Sequence, residues 1–297
     1  MRTEKLRDGK FDVDVPLVKR LIASQFPRWT DLPIRPVEQD GWDNWTFHLG
    51  DRMKVRLPSA EGYAEQTAKE ALWLPRLAPA LPVKIPAPLA VGEPDAGYPW
   101  RWAIYDWIDG EQAGRGAIAD LSQFARDVGA FLTALQRIDP TGGPPPGPHN
   151  FFRGGSLAVY ADEARRSIEA LAGVIDAPRA FAVLEAALAA PFSGPPVWVH
   201  GDIAVGNLLV ADGRLQAVID FGGLSVGDPA CDLVLAWVFL DGDSRTAFKA
   251  AAPGDAAMRA RARGWALWKA ALMLAAGRAV HPLERPYKEV IDDILSE

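Results

Sequence analysis

Hydrophobic and polar positions follow two different periods along this chain. Near residue 55, Met53, Val55 and Leu57 alternate with Lys54 and Arg56, which predicts a strand with one buried face. After residue 120 apolar residues recur every three or four positions, as is typical of helices. The predicted strands lie at 34–38, 45–49, 53–57, 89–91 and 101–108. The predicted helices lie at 15–26, 61–74 (ending before Pro75), 121–135, 156–176 and 179–190, and over most of the chain from residue 227 onward.

This arrangement predicts an α+β protein in which a strand-rich region precedes a mostly helical one. A strong turn signal, Asp109-Gly110-Glu111, follows the last strand of the first region. We therefore expect an N-terminal domain at 1–108, with a leading helix, and a C-terminal domain at 109–297.

One polar loop stands out because apolar runs flank it on both sides. Val197–Val199 and Leu208–Val210 are predicted strand ends, and His200, Asp202 and Asn207 lie between them. The dipeptide Asp212-Gly213 predicts a hairpin, which would return the chain to Asp220 at the same end of a small sheet. Two carboxylates and an amide oxygen in one place suit Mg²⁺ with phosphate as a further ligand.

The spacing of these residues fits phosphoryl transfer, which depends mainly on positioning and charge neutralisation. The motif His200-Gly-Asp-x4-Asn207 resembles that of the aminoglycoside phosphotransferase family, whose members share the protein-kinase fold. Ile219-Asp-Phe-Gly222 and Gly227-Asp-Pro-Ala-Cys-Asp-Leu233 follow in the family's order. Trp42-Asp-Asn44 and Arg263-Gly-Trp-Ala-Leu267 are closest in look to the branch that contains macrolide phosphotransferases. The resemblance implies a bilobal kinase-like fold with a small antiparallel-sheet lobe and a larger helical lobe.

The resemblance also implies roles for single residues. Asp202 would be the catalytic base, His200 would orient the loop, and Asn207 and Asp220 would hold Mg²⁺. Arg56 and Glu70 would form an ion pair at the nucleotide phosphates, although Lys54 and Glu65 remain alternatives for the two positions. Asp228 or Asp232 would support the catalytic loop by accepting its backbone N–H groups, while Asp228 alone is equally well explained as a helix cap.

Two further segments are candidates for binding the nucleotide, which would be ATP or GTP. The loop at 38–44, with Gly41, Trp42, Asp43 and Asn44, would cover the phosphates, although an ordinary hairpin loop explains it as well. The backbone of Asp106, Trp107 and Ile108 would bind the purine edge, and an edge strand followed by a loop fits the same residues. The segment His149–Gly155 is either a packed loop or the border of a substrate site.

Composition narrows the possible partners and the compartment. The 297 residues carry a net charge of −6 and no basic block, so nucleic acid is not expected as a partner. A single cysteine, Cys231, leaves no disulfide or cysteine metal cluster to predict. The charged first residues lack a signal region and no apolar run has the length of a membrane span, so we expect a cytoplasmic protein without membrane contact. A monomer or weak homodimer is expected.

The sequence therefore predicts a Mg²⁺-dependent enzyme that transfers the γ-phosphoryl group of ATP or GTP to a hydroxyl of a small molecule. An antibiotic, either a macrolide or an aminoglycoside, is one candidate acceptor. A kinase of an ordinary metabolite alcohol and a non-catalytic nucleotide-binding module on the same fold are the alternatives. A metallophosphoesterase is excluded because the four histidines are scattered, and a P-loop kinase because its motif is absent.

Overall fold

The computed structural model describes residues 2–38, 40–252 and 254–297. The chain forms two compact units, one of Met1–Pro79 with Ile85–Asp109 and one of Ala80–Lys84 with Gly110–Glu297. The strands are β1 (Ile34–Pro36), β2 (Asn44–Leu49), β3 (Met53–Pro58), β4 (Pro88–Gly92), β5 (Trp102–Asp106), β6 (Glu111–Gln112), β7 (Val197–Val199), β8 (Leu208–Ala211), β9 (Arg214–Val218) and β10 (Ser225–Gly227). The helices are α1 (Arg2–Arg7), α2 (Val15–Gln25), α3 (Glu61–Leu77), α4 (Leu121–Arg137), α5 (Ala161–Ala170), α6 (Ala177–Ala189), α7 (Leu235–Val238), α8 (Gly242–Ala251), α9 (Ala256–Ala275) and α10 (Tyr287–Ser296).

The first unit is built on an antiparallel five-stranded sheet in the order β1-β2-β3-β5-β4. The alternation predicted for β3 is present, because Val55 and Leu57 are fully buried. They belong to a core that also contains Trp102 and Ile104 of β5 and the apolar face of α2. Asp14 caps α2 by accepting the N–H of Leu17 at 2.8 Å, as its position before Pro16 indicates.

Helix α3 is longer than the sequence predicts. The expected end before Pro75 is wrong, since the helix continues to Leu77 with Pro75 inside it. Pro75 removes one backbone donor, but the buried side chains of Trp73, Leu74 and Leu77 hold the last turn against the sheet unit. Tertiary packing has here outweighed the local helix-breaking signal.

The second unit contains helices α4–α10 and two small antiparallel sheets. One sheet has the order β6-β8-β9 and the other pairs β10 with β7. The predicted hairpin is confirmed, because Asp212 and Gly213 both have positive φ (51° and 75°) between β8 and β9. Two left-handed central residues characterise the turn that suits the twist of a two-residue hairpin.

Several helix boundaries in this unit differ from the prediction. The helix expected at 156–176 is a short helical turn at Leu157–Tyr160 followed by α5, which ends at Ala170. The helix expected from residue 227 begins as a tighter turn at Pro229–Val234 before the four-residue α7. The terminal helix predicted after Pro286 is confirmed as α10. In this unit, therefore, the apolar period marked helical segments but not their ends.

The segment Ala80–Lys84 belongs to the second unit, which the sequence does not indicate. The N–H of Lys84 donates to the carbonyl of Gln216, and the carbonyl of Lys84 accepts the N–H of Val218. These bonds pair the segment with β9, whose hairpin carries Asp220 at its end. Among the residues that the structure describes, no helix combines the length and the apolar character needed to cross a membrane.

Candidate functional site

The loop between β7 and β8 is held by a buried carboxylate. Asp232 is completely buried, and its two oxygens accept the backbone N–H groups of His200 at 2.8 Å and Gly201 at 2.7 Å. Burial raises the pKa of Asp232 to about 7, and the nearby charge of Asp202 acts in the same direction. The two N–H groups and Arg153 oppose this shift. Asp232 thus fixes the backbone immediately before Asp202.

Asp228, the other candidate for this support, does something different. Its carboxylate accepts the N–H of Ala230 at 3.1 Å and forms a buried, two-pronged ion pair with Arg261, at 2.6 and 3.0 Å. Arg261 also donates to the carbonyl of Pro191 at 2.6 Å. Asp228 therefore caps the turn at 229–234 and ties it to α9, whereas Asp232 holds the loop.

His200 is a buried structural member of the loop. Its Nδ1 accepts the N–H of Asp202 at 3.1 Å, which places the ring proton on Nε2, 3.1 Å from the carbonyl oxygen of Ile219. The ring also packs edge-on against Phe221, with the centroids 4.5 Å apart. A neutral His200 in this tautomer connects the loop to the end of β9.

Two glycines let the loop lie close to the chain after Asp220. Gly201 has φ +88°, and a Cβ there would lie 2.5 Å from the carbonyl oxygen of Gly223. A Cβ on Gly223 would lie 2.9 Å from the carbonyl oxygen of His200. Both positions need a residue without a side chain because two backbones pass each other at van der Waals distance.

Asn207 is bonded to Asp202, and the hairpin places Asp220 directly after a residue that is bonded to Asn207. The amide nitrogen of Asn207 donates to the carboxylate Oδ2 of Asp202 at 2.8 Å and to its carbonyl at 2.9 Å. The N–H of Ile219 donates to the carbonyl of Asn207 at 2.8 Å, so the residue before Asp220 is joined to Asn207. Asp220 itself adopts a left-handed conformation with φ +64°, which Asp tolerates better than most residues.

The oxygen atoms of Asn207 and Asp220 suit Mg²⁺ better than a metal ion whose ligands must all come from protein side chains. Because the Asn207 nitrogen is directed at Asp202, its amide oxygen is left for a ligand, and Asp220 adds a carboxylate. No group of three His, Cys, Asp or Glu side chains suited to a metal occurs among the described residues. Mg²⁺ is typically held by one or two protein oxygens together with phosphates and waters, which matches two such donors.

In the first unit, Arg56 is joined to Glu70. The guanidinium Nη1 lies 3.4 Å from both carboxylate oxygens, and Glu70 is buried. The hydroxyl of Tyr105 donates to Glu70 at 2.6 Å. Of the alternatives left open by the sequence, Glu65 is exposed, and Lys54 lies opposite Tyr105 in the sheet. The structure thus joins Arg56 to Glu70 in an ion pair, and Tyr105 holds the same carboxylate.

The loop between β1 and β2 is held by hydrogen bonds from α1 and has open space at Gly41. Lys5 of α1 is fully buried, where it donates to Asp40 at 2.6 Å and to the carbonyl of Asn44 at 2.8 Å. Burial lowers the pKa of Lys5, against the opposing effect of Asp40. A Cβ on Gly41 would meet no atom within 4 Å, so the loop leaves room for a ligand. Gln39, part of the predicted loop, lies outside the described residues.

The turn after β3 supports the other end of this loop. Ser59 donates its N–H to the carbonyl of Asp43 at 2.8 Å and its hydroxyl to the carbonyl of Trp42 at 3.1 Å. Trp42 is 41% exposed, and the ammonium of Lys10 lies over its ring, 5.1 Å from the centroid. The four predicted residues Gly41, Trp42, Asp43 and Asn44 therefore form one anchored loop.

The segment Asp106–Ile108 leaves the sheet at the end of β5. The N–H of Trp107 donates to the carbonyl of Arg52 at 2.8 Å, and the Trp107 ring lies 4.2 Å from that of His48. Burial, followed by the charge of Arg35, lowers the pKa of His48, which favours a neutral imidazole beside the indole. The predicted strand to residue 108 thus ends two residues early, at Asp106, and the Trp107 N–H still bonds to the residue before β3.

Sequence reasoning did not find Lys5, Asp40 and Tyr105. Each acts through a partner distant along the chain, 35 residues away for the Lys5–Asp40 and Tyr105–Glu70 pairs. The period of β5 could have placed Tyr105 on the face shared with Lys54 and Arg56. No local pattern marks Lys5, because a lysine in a charged N-terminal segment is expected to be exposed.

The chain is similar to a family of known proteins and to several solved structures. Residues 33–270 match the model of a family described as the phosphotransferase enzyme family. No curated protein matches the chain. One similar solved structure is APH(2")-IIia in complex with GDP and kanamycin, at 17% identity, TM-score 0.66 and 94% coverage of both chains.

Two other similar structures extend the comparison. The streptomycin–ATP complex of APH(2")-IIa matches at 18% identity and TM-score 0.59, with 97% of each chain covered. The apoenzyme of macrolide 2'-phosphotransferase MphH from Brachybacterium faecium matches at 23% identity and TM-score 0.59, covering 95% of this chain and 98% of that one. At these identities the likeness shows the fold, and it confirms the predicted kinase-like α+β class.

Proposed function

Because the chain belongs to the phosphotransferase enzyme family, we propose that it transfers the γ-phosphoryl group of ATP or GTP to a hydroxyl of a small molecule, using Mg²⁺. The observation that carries the proposal is the linked set of Asp202, Asn207 and Asp220 on two backbones joined by the Ile219–Asn207 bond. A carboxylate directed by an amide, beside two oxygen donors, is the arrangement that this reaction needs.

Asp202 would accept the proton of the acceptor hydroxyl. It is exposed, so an acceptor can reach it, and Asn207 fixes one of its oxygens so that the other can face the hydroxyl. The amide oxygen of Asn207 and the carboxylate of Asp220 would hold Mg²⁺. Bound Mg²⁺ neutralises the charge of the nucleotide phosphates. Positioned proton acceptors of this kind typically contribute about 10²–10⁴-fold to a rate.

The first unit, 1–108 in the sequence prediction, would bind the nucleotide, and the unit from residue 109 onward would bind the acceptor. Arg56, held by Glu70, would contact the phosphates. Backbone N–H groups of the loop with Gly41, Trp42, Asp43 and Asn44 would cover them. The backbone of Asp106, Trp107 and Ile108 would bind the purine edge. Similar structures were solved with GDP and with ATP, so both nucleotides are candidates.

The proposed function includes several chemical classes of acceptor, which an assay panel would distinguish. Similar structures contain kanamycin, gentamicin or streptomycin, and another is a macrolide 2'-phosphotransferase. Antibiotics of both classes and ordinary alcohols therefore belong in one assay panel. An antibiotic acceptor would make this protein a resistance enzyme, which growth of bacteria expressing it on macrolides and aminoglycosides would test.

The deciding experiment measures release of nucleoside diphosphate with ATP and with GTP across that panel, with and without Mg²⁺. We expect turnover of at least one alcohol, dependent on Mg²⁺ and lost in Asp202→Asn. Tight nucleotide binding without turnover of any alcohol would contradict the proposal and favour a binding module.

A further inference from the structure

The loop Gly147–Gly155 carries two strained residues next to the catalytic loop. Phe151 and Phe152 both have φ +54°, although neither is glycine. A left-handed conformation costs an ordinary residue about 1–2 kcal/mol. Such strain persists only where the surroundings impose it, and it is concentrated at functional sites. The loop therefore calls for an explanation beyond simple packing.

A fully buried asparagine imposes this conformation. The side-chain nitrogen of Asn150 donates to the carbonyls of Arg153 at 2.8 Å and Gly223 at 3.1 Å. Its oxygen accepts the N–H of Gly147 at 2.9 Å. The hydroxyl of Ser225 also donates to the carbonyl of Arg153 at 2.8 Å. These bonds fix the backbone of Arg153 against the chain that follows Asp220.

The Cβ of Arg153 lies beside the loop between β7 and β8, which carries Asp202. Its Cβ would lie 2.9 Å from a Cβ built on Gly201, the residue before Asp202. Its guanidinium carbon lies over the rings of Trp265 and Trp268, 5.2 and 5.1 Å from their centroids. Trp268 is itself held by stacking on Tyr160. The rings of Trp265 and Trp268 limit the positions that the guanidinium can take.

The guanidinium of Arg153 makes no hydrogen bond or ion pair with any side chain or carbonyl in the described part of the chain. The contrast with Arg261 is clear, since that arginine has a carboxylate and a carbonyl as partners. A half-buried cation with five unused donors is suited to a planar or phosphate anion, which it can bind through two parallel hydrogen bonds.

We propose that Arg153 binds an anionic group, a carboxylate or a phosphate, on the alcohol that the protein phosphorylates; this rests on the proposed function. The anion would occupy the free edge of the guanidinium while the hydroxyl of the same molecule faces Asp202. A positive charge at this position also repels polycations, so hydroxylated acids are favoured over polyamines as acceptors.

The test compares alcohols that differ only in charge. The probes are 4-(hydroxymethyl)benzoate, 4-(hydroxymethyl)phenyl phosphate and the neutral 4-(hydroxymethyl)benzamide, with kanamycin as the polycation. Binding is measured by calorimetry and turnover by nucleoside diphosphate release. We expect one of the anions to bind the wild type about tenfold or more tightly than the amide, as one charge-assisted bond predicts. The probe that binds more tightly shows whether the anionic group of the acceptor is a carboxylate or a phosphate.

Variants separate binding from positioning. Arg153→Met should remove the preference for the anion and leave amide binding unchanged, and Arg153→Lys should restore part of it. Arg166→Met, which removes an exposed positive charge on α5, is the control and should change nothing. Equal binding of anions and amide by the wild type, or equal weakening of all probes by Arg153→Met, would overturn the proposal.

The two readouts keep this inference distinct from the proposed function. Anions that bind through Arg153 but are never phosphorylated, in a panel where no alcohol is, would refute phosphoryl transfer and leave the anion site standing. Phosphorylation of kanamycin without any binding of the anions would refute the anion site and leave phosphoryl transfer standing.

Discussion

The side-chain nitrogen of Asn207 lies 2.8 Å from the carboxylate oxygen Oδ2 of Asp202. This bond gives one side chain two tasks, because the same amide directs a carboxylate with its nitrogen and keeps its oxygen for a cation. The five-residue separation within a single short loop makes this possible. The backbone bond from Ile219 to Asn207 then links the pair to Asp220.

Asp202→Asn should remove turnover while leaving the loop intact. The amide cannot accept a proton, so we expect activity to fall about 10²–10⁴-fold. Nucleotide affinity, measured by calorimetry, should stay within twofold. Asp212→Asn is a matched control, since that residue lies in the exposed hairpin turn and Asn suits its positive φ. Unchanged activity in Asp202→Asn would contradict the role of base.

Tyr105→Phe should weaken nucleotide use through Glu70. The change removes a 2.6 Å hydrogen bond to a buried carboxylate, which leaves Glu70 less well fixed for Arg56. We expect KM for the nucleotide to rise about 2- to 10-fold, in keeping with one hydrogen bond, and Glu70→Gln to have a larger effect. Steady-state kinetics with ATP and GTP measure this. The exposed Glu65→Gln should match the wild type, and an equal effect there would count against the ion pair.

Asp232 should make stability depend on pH. Its pKa is raised to about 7 by burial, so between about pH 4 and 7 the folded state keeps a proton that the unfolded chain releases. Its contribution to the free energy of unfolding is therefore full below pH 4 and falls as pH rises to 7, by about 1.4 kcal/mol per pH unit at most.

Urea unfolding of the wild type and Asp232→Asn between pH 4 and 8 measures this contribution as the difference between the two curves. The variant should be less stable throughout, because its amide nitrogen would face one of the loop N–H donors. The stability difference should shrink as pH rises to 7. A difference that is constant over the whole range would show that Asp232 does not titrate there.

Gly201→Ala should lower the free energy of unfolding by more than the strain of a positive φ alone would. The added Cβ would meet the carbonyl of Gly223 at 2.5 Å. Gly173→Ala is the control, because Gly173 has nearly the same φ, +86°, with open space around it. We expect an extra loss of about 1–3 kcal/mol at position 201 in urea unfolding, together with loss of turnover. Equal losses at both positions would mean that the close approach is not tight.

The polar loop could be predicted from sequence because all its parts lie within about twenty residues and depend on one hairpin. The Arg56–Glu70 pair could not be chosen with the same certainty. Lys54 and Arg56 share a face, and the sequence does not show which of them α3 brings next to Glu70. The sequence offered the segment with Arg153 as one candidate border of a substrate site. It could not place the side chain, because Asn150, Gly223 and two tryptophans of α9 position it.

The burial of Lys5 beneath the β1–β2 loop makes the N-terminal helix a reporter of that loop. Acylating reagents reach surface lysines freely, but they reach this amine only when α1 lifts away from Asp40 and Asn44. Burial lowers the pKa of Lys5 only while the amine is covered, so after α1 lifts away it reacts as an ordinary surface lysine does. Labelling at Lys5 therefore reports how readily α1 separates from Asp40 and Asn44, and it needs neither a substrate nor knowledge of the acceptor.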